Sequence, residues 1–125
     1  MVTELFPILA TPDLARSLGF YRDLLGGIVT YEFAGADGSP VYVGLSLGDS
    51  SLGIALEASV EDASRPRAVS LWVYTDDCDV MLDRLRSAGV RIVAEPADQP
   101  WGERVARVLD PDGTEVIIGA RTTAG

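Results

Sequence analysis

An α+β fold built from two tandem copies of a β-α-β-β-β unit is predicted by three observations. Two amphipathic helical segments each follow a short apolar strand, and each ends on a glycine, Gly26 or Gly89. Three further strand candidates follow each helix, separated by turn-forming residues. The two copies also keep step: Asp13 superposes on Asp77 at an offset of 64 residues, and Gly26 on Gly89 at 63.

In the first copy a strand over residues 4–10 leads into a helix with Thr11 as the expected N-cap and Pro12 at the first helical position. Leu14, Leu18, Tyr21 and Leu25 recur at spacings of three and four and define its apolar face. Strands are then expected over 28–33, 41–47 and 52–58. The second copy repeats the order with a strand over 68–74, a helix over 75–88 and strands over 92–95, 104–109 and 115–119. The modules therefore occupy about 1–59 and 68–120 of a single domain spanning 1–125, and the polar, Pro-containing stretch 60–67 is the expected linker.

A chain of 125 residues buries on folding about two-thirds of the surface its unfolded form exposes, so a real core is available. Nearly half of the residues are hydrophobic, yet no apolar run approaches the roughly 20 residues of a membrane span, and residues 1–9 lack the pattern of a signal peptide. The expectation is a soluble cytoplasmic protein without a membrane partner. Its one cysteine, Cys78, excludes an internal disulfide framework. Residues 1–64 hold nine carboxylates and two arginines, whereas residues 65–125 hold ten and eight. Such an acidic chain lacks the basic face that nucleic acid requires.

Several chemistries are excluded by residue type. Without histidine there is no Ser-His-Asp or Cys-His machinery, and without lysine there is no Schiff base or P-loop. Cys78 lies near a helix start, but Asp76, Asp77 and Asp79 oppose a thiolate there. The aspartates of Asp110-Pro111-Asp112-Gly113 are explained by the turn they make. Glu57 and Glu115 are the candidates for acid/base work, because burial raises a carboxyl pKa towards the working range.

Three stretches carry a family likeness: PDLARSLGFYRDLLGG (12–27), DDCDVMLDRLRSAGVRIVAEP (76–96) and PWGERVARVLDPDGTEV (100–116). With them the chain resembles the vicinal oxygen chelate superfamily of glyoxalases, bleomycin-resistance proteins and extradiol dioxygenases. The resemblance implies paired β-α-β-β-β modules forming an open, curved eight-stranded mixed sheet around a cavity, and a homodimer. Metal-using relatives place ligands on the first and last strands of each module. The matching positions here are Phe6 and Ser70 on the first strands, Ile117 on the last, and Ala55 or Glu57 in the first module, where the register is open. No metal and no cofactor are expected, because tight transition-metal sites need several converging donors, usually imidazole.

Side chains alternate across a strand, so Phe6, Ile8 and Ala10 share one face, as do Ser70, Trp72 and Tyr74. If Phe6 and Ser70 hold the family's ligand positions, these rows line the site. The expected ligand contacts are then Phe6, Phe33, Tyr42, Glu57, Ser70, Trp72, Trp101, Glu115 and Ile117. Aromatic rings among them suit a planar or cationic small molecule. The leading expectation is a metal-free binding protein of the bleomycin-resistance type that sequesters an aromatic or cationic drug or metabolite. The alternatives are a glyoxalase- or dioxygenase-like enzyme with a non-standard site, and a non-catalytic accessory domain.

Overall fold

The computed structural model describes residues 1, 3–57 and 69–121. The expected linker over 60–67 lies outside the described residues, as do the strand ends expected at Ala58 and Ala68. The chain divides into two compact units, Met1–Asp62 and Ala63–Gly125.

In the first unit, β1 (Ile8–Thr11) leads to α1 (Leu14–Leu18), which widens into a π-helical turn over Gly19–Leu24, and β2 (Ile28–Ala34), β3 (Pro40–Leu47) and β4 (Ser50–Leu56) follow. The sheet order is β1-β4-β3-β2, with β1 parallel to β4 and the other pairs antiparallel. The second unit repeats this plan with β5 (Leu71–Tyr74), α2 (Cys78–Ser87), β6 (Arg91–Asp98), β7 (Glu103–Leu109) and β8 (Glu115–Arg121). Its order is β5-β8-β7-β6, again with one parallel pair, β5 with β8. The eight strands thus form two four-stranded mixed sheets, one in each unit.

The aspartates that aligned the two copies are both N-caps: Asp13 accepts from the Arg16 amide and Asp77 from the Val80 amide. This corrects the expected start of the first helix. Thr11 Oγ1 instead accepts from the Asp13 amide and donates to the Asp13 carbonyl, so it braces the turn ahead of the cap. Gly26 and Gly89 stop the helices in the left-handed region, with φ of 85° and 83°. Strand β6 runs through Pro96, beyond its expected end at Glu95, because the ladder is irregular between Ala94 and Ala97 and spares the proline a hydrogen bond. No helix among the described residues is long and apolar enough to cross a membrane.

Each helix covers one face of its own sheet. Leu14, Leu18, Phe20 and Tyr21 are buried with Val43, Leu45, Leu52 and Ile54 in the first unit. In the second, Leu82, Leu85 and Cys78 are buried with Ala106, Val108, Val116 and Ile118. Full burial of one such aliphatic side chain contributes about 1.5–3 kcal/mol. Cys78 is a core residue whose thiol donates to the Ile118 carbonyl, and burial pushes its pKa up, opposite to what a nucleophile needs. Arg104 ties α2 to the sheet by pairing with Asp79 at 2.7 Å and with Asp98 at 3.1 Å. Strand alternation sends the remaining side chains to the opposite, uncovered face of each sheet.

Candidate functional site

The register of the second sheet fixes what its uncovered face carries. Val116 and Ile118 point to the helix, so Glu115, Ile117 and Gly119 point away from it. Trp72 pairs with Ile117 and Tyr74 with Gly119 on β5, while Arg107 pairs with Ile117 and Val105 with Gly119 on β7. Trp72, Trp101, Arg107, Ile117, Ala94 and Ala97 line a shallow depression of about 130 Å³ on this face. Its depth comes from contrast: two tryptophans stand beside two alanines.

A missing side chain seats the Trp72 indole. A Cβ on Gly119 would lie 2.9 Å from Trp72 Nε1, so only glycine lets the ring approach the β8 backbone so closely. The Trp72 and Tyr74 rings are 6.0 Å apart at 53°. Trp101 sits ahead of β7 and donates its indole N–H to Glu103 Oε1 at 2.7 Å. The Glu103 carboxylate beside the Tyr74 hydroxyl, with some desolvation, raises the phenol pKa above its ordinary value. The Arg121 guanidinium lies 3.7 Å from the Tyr74 ring centre. Ser70 Oγ donates to Glu115 Oε1 at 3.0 Å, and Arg107 Nη1 lies 3.8 Å from Glu115 Oε2.

Of the residues expected to contact a ligand, Trp72, Trp101 and Ile117 line one depression, and Ser70 with Glu115 lies on the same sheet face. Phe6, Phe33, Tyr42 and Glu57 belong to the first unit and do not line that depression. There Phe33 pairs with Tyr42, and Tyr42 pairs with Ala55, which puts both rings on the uncovered face with Ile8 and, by alternation, Phe6. Tyr42 leans over Gly53 much as Trp72 leans over Gly119, and a Cβ on Gly53 would strike its ring. Glu57 lies just past β4 with its amide bonded to the Thr11 carbonyl. Four charged or aromatic members of the second face were not among the expected contacts: Arg121, Tyr74, Glu103 and Arg107. Strict alternation along E-R-V-A-R was the available signal for the last two.

The register also settles the family's fourth ligand position. Ile8 pairs with Gly53 as Trp72 pairs with Ile117, so the counterpart of Ile117 is Gly53, neither Ala55 nor Glu57. The four positions then carry Phe6, Gly53, Ser70 and Ile117. Two hydrocarbon side chains, a glycine and a hydroxyl already donating to Glu115 do not make a transition-metal donor set. Among the described residues no group of three or more histidine, cysteine, aspartate or glutamate side chains is placed to hold a metal ion. The buried Asp110 carboxylate is spent on its turn, accepting from the Asp112 and Thr114 amides at 2.8 Å each.

Comparison with known proteins agrees with this architecture. The chain is 31% identical over 102 residues, 82% of its length, to a Mycobacterium tuberculosis protein provisionally named glyoxylase CFP32, and it spans only 37% of that relative. TioX from Micromonospora sp. ML1 superposes with a TM-score of 0.76 at 22% identity, covering 97% of this chain and all of that one. The bleomycin resistance determinant encoded on transposon Tn5 does so with 0.71 at 24% identity, covering 98% and 100%. A family model for the Glyoxalase/Bleomycin resistance protein/Dioxygenase superfamily matches residues 4–118. With two β-α-β-β-β units and a match across nearly its whole length, the chain belongs to the glyoxalase/bleomycin resistance protein/dioxygenase superfamily.

Proposed function

We propose that the protein binds a small molecule without a metal, using the uncovered face of the second sheet. One observation carries this reading: Trp72 and Trp101 flank a depression whose remaining wall includes Ile117, a hydrocarbon side chain at a position where the family resemblance implies a metal ligand. Binding by stacking and apolar contact requires flat rings, a few polar anchors and no reaction. The face supplies each: two indoles, and around them Ser70, Glu115 and Arg107. The bleomycin resistance determinant of Tn5 supports the reading by its fold.

The test is a thermal-shift screen of drugs and metabolites followed by tryptophan quenching. A ligand at 100 times its dissociation constant adds about 2.7 kcal/mol of stability. Both tryptophans of the chain lie on this face, so a ligand that stabilises the protein but leaves its fluorescence unchanged binds elsewhere. Stoichiometric zinc, nickel, manganese or iron in the purified protein would sink the metal-free part. We also propose a homodimer, for which the exposed Ile8, Tyr31 and Phe33 of the first sheet are the support, and sedimentation equilibrium is the check. A cytoplasmic location is proposed from the single cysteine, which is buried.

A second, catalytic reading is favoured by the name of the mycobacterial relative and by the Ser70–Glu115 hydrogen bond. In it Glu115 acts as the acid/base group. Full turnover of a glyoxalase-type substrate by Glu115→Gln would remove that role.

A further inference from the structure

The carboxylates around the second face are already engaged. Glu103 accepts from Trp101 and lies beside the Tyr74 hydroxyl. Glu115 Oε1 accepts from Ser70. Glu95, on the wall of the depression, is ion-paired with Arg86 of α2. A cationic ligand would have to share these carboxylates with their present partners.

Arg107 stands differently. Its guanidinium forms only a loose ion pair, with Glu115 Oε2 at 3.8 Å and too far for a hydrogen bond, and its side chain is 54% exposed within the depression that Trp72 and Trp101 flank. A guanidinium offers a planar fork of five N–H donors and matches an oxyanion with two parallel hydrogen bonds. Size indicates which part of a ligand the depression can seat. A depression of about 130 Å³ is close to the roughly 150 Å³ cavity that admits benzene, and well below the 300–1,000 Å³ of drug-sized sites.

We propose that this depression receives a single aromatic ring bearing an oxyanion, a carboxylate in the simplest case, with the ring against Trp72 and Trp101 and the oxyanion on Arg107. The proposal rests on the reading of this face as the binding site and narrows its ligand from aromatic or cationic to aromatic and anionic. It also gives Arg107 a role in choosing ligands rather than in holding the sheet. The acidity of the chain as a whole opposes an anion at long range, but salt screens that field within about 10 Å, so the short-range fork decides.

The test is a titration of the protein with benzoate, benzamide and benzylammonium, followed through the indole N–H signals of Trp72 and Trp101 by NMR. Benzoate is expected to bind about tenfold more tightly than benzamide, with benzylammonium the weakest. Arg107→Gln should erase the preference for benzoate while leaving benzamide within about twofold, and Arg107→Lys should keep part of it. Benzoate binding that survives Arg107→Gln, or benzylammonium binding more tightly than benzoate, overturns the anionic assignment. If benzamide moves the indole signals and benzoate gains nothing from Arg107, the charge inference fails alone. If none of the three probes moves either indole, the binding-face reading fails with it.

Discussion

On the uncovered face of the first sheet stand Ile8, Tyr31, Phe33, Tyr42 and, by alternation, Phe6, with Glu57 just past the end of β4. On that of the second stand Trp72, Tyr74, Glu103, Arg107, Glu115 and Arg121. Both faces belong to sheets with the same strand order and the same single parallel pair. The helix-covered faces resemble each other far more closely, with Val43, Leu45, Leu52 and Ile54 in one and Val108, Val116 and Ile118 in the other. Packing against a helix constrains one side of each sheet to apolar residues of fitting size, and it leaves the other side free to take up chemistry. Of the strand residues on these two faces, the charged ones collect in the second copy, which also holds both tryptophans.

The largest effect should come from the part the copies share. Ile54→Ala and Ile118→Ala each remove a fully buried side chain, and each is expected to cost about 2–5 kcal/mol in urea unfolding. A loss confined to one variant would break the equivalence of the cores. Ligand binding should separate the faces instead. Trp101→Ala is expected to weaken benzamide binding about two- to tenfold, and Tyr42→Ala on the first sheet to leave it unchanged, as measured by calorimetry.

Gly119→Ala and Gly53→Ala sharpen the contrast at smaller amplitude. The first should displace the Trp72 indole and change the near-ultraviolet circular dichroism in the tryptophan region. The second should displace the Tyr42 ring and leave the tryptophan bands in place. Smallest is the acid effect of one ion pair in the second unit. Arg104 holds the Asp79 carboxyl below its ordinary value, first through their hydrogen bond. The stability from that pair is therefore present above the unfolded pKa of about 3.9 and is lost as pH falls through the lowered folded value. Asp79→Asn should flatten that part of an acid titration followed by circular dichroism, and an unchanged curve would show that the pair contributes nothing.

How far the sequence could be read follows from the distance over which each signal acts. The helix stops at Gly26 and Gly89 and the Asp110 turn are set by a few adjacent residues, and they were legible. The row Ser70, Trp72, Tyr74 was also legible, because alternation along one strand needs no partner. Arg107 was legible only as one of the row Glu103, Val105 and Arg107, since its place beside Ile117 depends on the pairing of β7 with β8. Gly53 was missed as the fourth family position for the same reason: hairpin length leaves register open until the parallel partner β1 fixes it. Thr11 misled because a hydroxyl and a carboxylate two residues apart both suit a cap, and the carboxylate took it.

The seating of an aromatic ring over a glycine, Tyr42 on Gly53 and Trp72 on Gly119, also constrains the order in which the protein can change. A larger residue at either glycine is obstructed while the ring is present, yet loses that obstruction once the ring is replaced by a small side chain. The two members of each pair are thus non-additive, and one mutational order costs less than the reverse. Evolution or engineering that seeks a new ligand on the second sheet meets least resistance by altering Trp72 before building on Gly119.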